Sequence, residues 1–160
     1  MNTDTAGKRE EALSFLINNE TGVLATLSGE GTPRARMVYY TADDNFNVYF
    51  LTLANTRKVA DMTANAHVAF VIAQTDIPHT LQIEGSVTDL TDSATNDPLL
   101  VNFVKMISSK TEYGIPAEHM DSAVIRFFKI TPEWVRWGDF TFGQGTDKVL
   151  TEIKTAEGEE

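Results

Sequence analysis

The chain has 160 residues, no cysteine and a formal net charge of −10, which results from 13 Lys and Arg against 23 Asp and Glu. The absence of thiols excludes disulfides, zinc–thiolate sites and iron–sulfur clusters, and it fits a reducing compartment. The acidic balance excludes nucleic acid and anionic membranes as partners over most of the surface. Because residues 1–11 are polar and the longest apolar run, residues 68–73, is far too short to cross a bilayer, we expect a cytoplasmic protein without a signal peptide.

The hydrophobic pattern predicts a single domain over residues 1–150, followed by an acidic flexible tail over residues 151–160. The predicted elements are, in chain order, a helix at Lys8–Asn19, strands at Thr21–Ser28, Arg34–Thr41 and Phe46–Leu53, a short helix that begins at Thr56, strands at His67–Ala73 and Thr80–Asp89, a helix at Pro98–Ser108, and strands at Ala123–Ile130 and Trp134–Asp139. Because the strands come mostly in hairpins with short helices between them, we predict an α+β fold with an antiparallel barrel.

Arg57 and Lys58 stand in the first turn of the short helix, which Asn55 or Thr56 is predicted to cap. The N-terminus of a helix carries partial positive charge, so each cation there costs about 0.3–1 kcal/mol unless an anion offsets it. Free backbone N–H groups, a hydroxyl, a guanidinium and an ammonium together suit a phosphate. These four residues alone leave two interpretations open: solvated cations at a helix start, or a binding site for an anion.

Arg36 lies in the middle of an otherwise apolar predicted strand, on the same face as Arg34. Such an arginine is seldom buried without a partner, which is either an acid, for example Glu84 on another strand, or a bound anion. The next strand runs back past Thr52, whose hydroxyl could contribute, and ends beside the start of the short helix. Residues 32–60 hold four cations and only two acids, which favours a small anionic ligand over a polyanion.

Other side chains that could serve chemistry give weaker patterns. The three histidines lack metal-ligand spacing, so no metal site is predicted, and no catalytic acid or base is assigned. Gln82 faces either water or a heterocyclic ligand from its strand. Trp134 and Trp137 are three residues apart and face opposite sides of the last strand, so one is expected in the core and the other is free to stack on a ligand or a partner chain.

Two of these segments resemble the FMN-binding split-barrel family related to pyridoxamine 5′-phosphate oxidase. The resemblance covers roughly residues 12–138 and is carried by Pro33-x-x-Arg36-Met37-Val38 and Thr52-x-x-x-Thr56-Arg57-Lys58. It implies an α+β fold built on an antiparallel split β-barrel with short flanking helices, and it implies FMN as the cofactor. The implied contacts are Arg36, Thr56, Arg57 and Lys58 on the phosphate, with Thr52 beside them, and Met37 and Val38 along the flavin ring.

The resemblance extends to two later segments. Gln82 is similar to a cofactor-binding Gln of the family but is offset by two residues from its usual place, so Thr80 competes with it. The segment Ile130–Trp137 resembles the closing strand of the family, in which a Trp reaches the flavin, and this implies Trp137 as a contact. Members of the family are homodimers with the cofactor at the subunit interface, and the resemblance implies the same here.

Three departures argue against vitamin B6 oxidation. Thr41 stands where true pyridoxamine phosphate oxidases carry a Lys, residues 96–110 lack an Arg, and no Arg-x-His-x-Arg follows Trp137. The chain therefore resembles the stress-protein-like relatives in this family. The resemblance implies an FMN-dependent oxidoreductase of an unassigned small-molecule substrate. The alternative is a non-catalytic protein that binds, stores or senses flavin, F420 or haem.

Overall fold

A computed structural model of the chain describes residues 3–93, 97–110, 125–141 and 149–155. Its elements are α1 (Thr3–Ile17), β1 (Thr21–Leu27), β2 (Pro33–Tyr39), β3 (Thr41–Ala42), β4 (Val48–Leu53), α2 (Arg57–Ala64), β5 (His67–Ala73), β6 (His79–Asp89), α3 (Pro98–Ser108), β7 (Ile125–Asp139) and β8 (Leu150–Ile153). Within these ranges, no helix combines the length and the apolar character that a membrane crossing requires.

The strands form one sheet in the order β2-β1-β5-β6-β7-β4-β3, with β8 added beside β7. All the pairings between them are antiparallel. The sheet curls around a core that includes the fully buried Leu24, Phe50, Phe70, Leu81 and Ile130. This arrangement confirms the predicted α+β fold with an antiparallel split barrel and short flanking helices.

The long strand β7 corrects the prediction of two separate late strands. It runs without a break through Pro132, pairing with β6 along its length, with β4 over Ile125–Ile130 and with β8 over Val135–Gly138. A bulge leaves Glu133 without a partner on β6. A bulge relaxes the hydrogen-bond ladder and so tolerates a proline, which has no N–H to donate, and this is why the sequence looked like a strand end.

Gly85 of β6 lies opposite this bulge and is required by close approach of the two backbones. A Cβ at this position would lie 2.1 Å from the carbonyl oxygen of Thr131. We expect Gly85→Ala to lower the free energy of unfolding by about 2 kcal/mol, as measured by urea denaturation. The control is Gly7→Ala in α1, where a Cβ meets nothing within 4 Å and the expected change is a gain of about 0.5–1 kcal/mol. A loss of similar size in both variants would contradict the steric argument.

Other element boundaries differ from the predicted ones for local reasons. The predicted strand at Arg34–Thr41 divides into β2, which pairs with β1 as far as Tyr39, and β3, which pairs with β4 from Thr41. Phe46 has a φ of 63°, a turn conformation, so β4 starts only at Val48. Helix α1 begins at Thr3, earlier than predicted, and Ala123 lies outside the described residues.

The predicted flexible tail begins too early. Leu150–Ile153 forms β8, and Ile153 is 5% exposed and belongs to the core. A four-residue strand with a single buried residue carries too little periodicity to be separated by sequence from a solvated acidic end. Residues 156–160 lie outside the described ranges.

One side of the sheet exposes apolar side chains, which we call the outer apolar face. It is formed by Val23 and Leu27 of β1, Ala35 and Met37 of β2, and Val71 of β5. Met37 is 58% exposed and Val23 is 43% exposed, and the two are cross-strand neighbours. Contiguous apolar surface of this kind marks interaction sites in soluble proteins.

Candidate anion-binding site

A recess of about 520 Å³ lies between β2 and the start of α2. We call its lining the anion cradle; it consists of Arg34, Ala35, Arg36, Thr56, Arg57 and Lys58. Four of the predicted cofactor contacts, Arg36, Thr56, Arg57 and Lys58, are thus brought together. Arg34 adds a fourth cation that the resemblance did not assign.

The sheet brings the two halves of the cradle together. Arg34 and Arg36 lie on the inner side of β2, as alternation predicted, because Val38 of the same face is buried whereas Met37 of the other is exposed. Strand β4 then ends at Leu53 and a turn leads directly into α2. The helix start therefore faces the inner side of the β1–β2 hairpin.

The start of α2 lacks a side-chain cap. Thr56 is the N-cap residue, yet its hydroxyl donates backwards to the carbonyl of Leu53, at 2.9 Å, and caps no N–H of the helix. Thr52, predicted as a neighbour of the phosphate, is only 4% exposed and contacts the Thr56 hydroxyl at 3.3 Å. The first N–H groups of α2 are consequently left for an acceptor from outside the helix.

Within the ranges that the structure describes, Arg57 and Lys58 have no acidic partner. Among the ion pairs between described residues, none includes either side chain. Burial, and after it the neighbouring charge of Arg36, lowers the pKa of Lys58 below its usual value. An anion bound beside Lys58 would reverse this shift, because an opposite charge favours the ammonium form.

Asp61, which no sequence pattern singled out, joins the two arginines of the cradle. It is 2% exposed on α2; its Oδ1 accepts from Arg34 Nη1 at 2.6 Å and its Oδ2 from Arg36 Nη2 at 3.2 Å and from the hydroxyl of Thr26 at 2.8 Å. Burial by itself raises the pKa of Asp61, but the hydrogen bond from Thr26 and the charges of the two arginines outweigh it and hold this pKa below its usual value.

Glu84, which was considered as an acid partner of Arg36, does not pair with it. Glu84 is exposed on the opposite side of the sheet, and Asp61 takes its place. Helical spacing places Asp61 away from the side that Val59 and Met62 share, so no periodicity marked it for burial, although the structure buries all three. A carboxylate at such a position requires a cationic or hydrogen-bonding partner.

The remaining predicted contacts lie away from the cradle within one chain. Met37 and Val38 follow Arg36 on β2 but are not part of the cradle lining; Met37 is exposed and Val38 is buried. Gln82 is on β6, three strands from β2, where its Oε1 accepts from Arg136 Nε at 2.9 Å. Trp137 is on β7, four strands from β2 and 1% exposed, so the core holds it.

The two tryptophans face opposite sides of β7, as predicted. The ring of Trp137 packs 5.1 Å from that of Phe15 and 4.9 Å from that of His79, measured between centroids. Trp134 is half-buried under the guanidinium of Arg136, which lies 5.0 Å from its ring centroid. No group of three or more His, Asp or Glu side chains within the described ranges could hold a metal ion.

Comparisons with known proteins place this geometry in a family. The family model described as "Pyridoxamine 5′-phosphate oxidase" matches residues 9–137. The pyridoxine/pyridoxamine 5′-phosphate oxidase of Salinibacter ruber is 36% identical over 67 residues, which are 42% of this chain and 31% of that enzyme. The matched segment thus spans about a third of the relative's length.

Two solved structures share the fold. An FAD-binding protein from Mesorhizobium loti superposes with a TM-score of 0.64 at 24% identity, covering 79% of this chain and 90% of that one. A structure named F420 reductase superposes with a TM-score of 0.62 at 21% identity, covering 76% of this chain and 93% of that one. At these identities the similarity concerns the fold.

Proposed function

The chain belongs to the pyridoxamine 5′-phosphate oxidase family, and from that premise we propose that it binds FMN and acts as an FMN-dependent oxidoreductase on a small molecule. The observation that carries the proposal is the unpaired Arg57 and Lys58 at the uncapped start of α2. In a chain of net charge −10, two cations without an acidic partner are best explained by a bound anion.

The donors of the anion cradle fit a phosphate monoester. Such a group carries about −1.5 to −2 at neutral pH and three acceptor oxygens. From one side of the recess, the phosphate can accept from Arg57, Lys58 and the first N–H groups of α2. From the other side it can accept from Arg36. When bound, FMN supplies the redox chemistry, while the protein binds and orients it.

We also propose a homodimer with the cofactor at the interface. The outer apolar face would be covered by a second copy of the chain, which would bury Met37 and Val23. The position of Gln82, three strands from the cradle, supports this arrangement, because a second copy could bring it toward a flavin held there, whereas Trp137 is held in the core. We place the dimer in the cytoplasm, in keeping with the lack of cysteine.

The test is the spectrum and ligand binding of the full chain as purified. We expect FMN to bind with a Kd of about 10 μM or tighter and riboflavin to bind at least about 100-fold more weakly, as measured by flavin fluorescence quenching. The mass of the complex in analytical ultracentrifugation should be that of two chains. A folded protein that fails to bind FMN at about 100 μM would contradict the proposal, and a haem or F420 absorbance spectrum would replace FMN as the cofactor.

A flavin-binding protein without turnover is the second candidate function. The observation that favours it is the apolar character of Met37 and Val38, the residues expected along the ring, which offer no acid or base. Anaerobic addition of NADH or NADPH to the FMN complex separates the two candidates. Bleaching of the flavin absorbance supports the oxidoreductase, and an unchanged spectrum supports binding without turnover.

A further inference from the structure

Asp61 is not part of the lining of the anion cradle, but it pairs with two of the cradle's arginines and so serves them as an internal anion. Its two oxygens accept from Arg34, Arg36 and Thr26, so neither oxygen is left free. Arg34 and Arg36 have side-chain exposures of 28% and 23%, and they line the recess while their inner donors are taken. The cradle therefore consists of a committed pair, Arg34 and Arg36, and an unpaired pair, Arg57 and Lys58.

The charges in and beside the recess limit how many phosphate groups a ligand can bind there. Four cations line or adjoin the recess and Asp61 cancels one of them. A phosphate monoester finds sufficient donors in the unpaired pair, in the helix N–H groups and in the outer edge of Arg36. A second phosphate group would need the donors of Arg34 and Arg36 that Asp61 holds, and its charge would be repelled by that carboxylate.

We propose that Asp61 is a specificity-determining residue that restricts the anion cradle to ligands with one terminal phosphate group, by holding Arg34 and Arg36 and repelling a second phosphate. The proposal rests on the proposed function, since it concerns the same site. It assigns no contact between Asp61 and the ligand, so Asp61 acts through the two arginines.

The experiment uses inorganic phosphate and inorganic pyrophosphate as probes, by calorimetric titration of the full chain at constant ionic strength. The measured quantity is the Kd for phosphate divided by the Kd for pyrophosphate. In Asp61→Asn, which keeps the size of the side chain and removes its charge, we expect this ratio to rise about tenfold in favour of pyrophosphate. A purely structural role predicts weaker binding of both anions and an unchanged ratio, which would overturn the proposal.

Two further variants make the measurement specific. Asp44→Asn makes the same charge change on an exposed turn, where Arg9 donates to the backbone carbonyl of Asp44, and the ratio should stay within about twofold of the wild type. The double variant Arg34→Gln/Asp61→Asn removes the internal pair together and should return the ratio to within about threefold of the wild type. A tenfold rise in either variant would overturn the proposal.

Asp61→Asn leaves two arginines without their buried partner and is expected to be less stable. If it does not fold in dilute buffer, its refolding yield in pyrophosphate and in phosphate gives the same comparison. A higher yield in pyrophosphate supports the proposal, and equal yields overturn it. A wild-type chain that binds FMN while Asp61→Asn leaves the ratio unchanged contradicts this inference alone, whereas a wild-type chain that binds neither FMN nor phosphate contradicts the proposed function as well.

Discussion

Replacing Arg57 and Lys58 together by Gln is expected to weaken FMN binding by about 100-fold or more, because hydrogen bonds to charged groups contribute about 1.5–3 kcal/mol each. Neither side chain has an acidic partner among the described residues, so their removal breaks no ion pair of the fold. The fold should therefore persist while the phosphate loses two of its donors. Fluorescence titration with FMN and with riboflavin measures the effect, and riboflavin affinity should change by less than about threefold.

The matched control is Lys105→Gln, which removes a cation from the last turn of α3. It lowers the net charge without touching the anion cradle, so FMN affinity should stay within about twofold. Raising the salt concentration should also weaken FMN in the wild type more than in the double variant. Equal losses for FMN and riboflavin in the double variant would contradict a phosphate role for Arg57 and Lys58.

Trp137→Ala is expected to lower the free energy of unfolding by about 3–5 kcal/mol, the range for removing a large aromatic side chain from a core. Trp137 is 1% exposed and packs against Phe15, so its loss leaves a cavity between α1 and the sheet. Urea denaturation at a fixed protomer concentration measures the change, since the proposed dimerisation would make stability depend on concentration.

Trp134→Ala is the control, because it removes the same side chain from the opposite face of the same strand. Trp134 is half-buried and contacts the guanidinium of Arg136, so the expected loss is about 1 kcal/mol. If Trp137→Ala proves as stable as the wild type but binds FMN more weakly, Trp137 contacts the cofactor and the interpretation as a core residue is wrong.

The part of the site that could be predicted from sequence is the part that local rules determine. Thr56 ends up as the N-cap because the polar pair Asn55-Thr56 precedes a helical apolar pattern, and strand alternation places Arg34 and Arg36 on one side. The helix start and the strand alternation lie on segments connected by one hairpin, and together they were sufficient to predict that the cations of the anion cradle lie near one another.

The partner of those arginines could not be predicted in the same way. An arginine in such a position can pair with any acidic side chain that the tertiary structure brings near it, and the chain has 23 Asp and Glu residues. The choice of Asp61 depends on how α2 packs against β1, which no periodicity encodes. The continuity of β7 was hidden for a related reason, because a proline ends most strands, whereas the bulge opposite Gly85 allows this strand to continue.

The pairing of β4 with β7 also determines when the fold can be completed during synthesis. Val48 pairs with Ile130, so the two strands are separated by roughly 80 residues of chain. At a synthesis rate of about 5–20 residues per second, one edge of β4 stays unpaired for about 4–16 s until β7 has been synthesised. Throughout that interval Phe50 lacks the ring of Phe128, on which it later stacks.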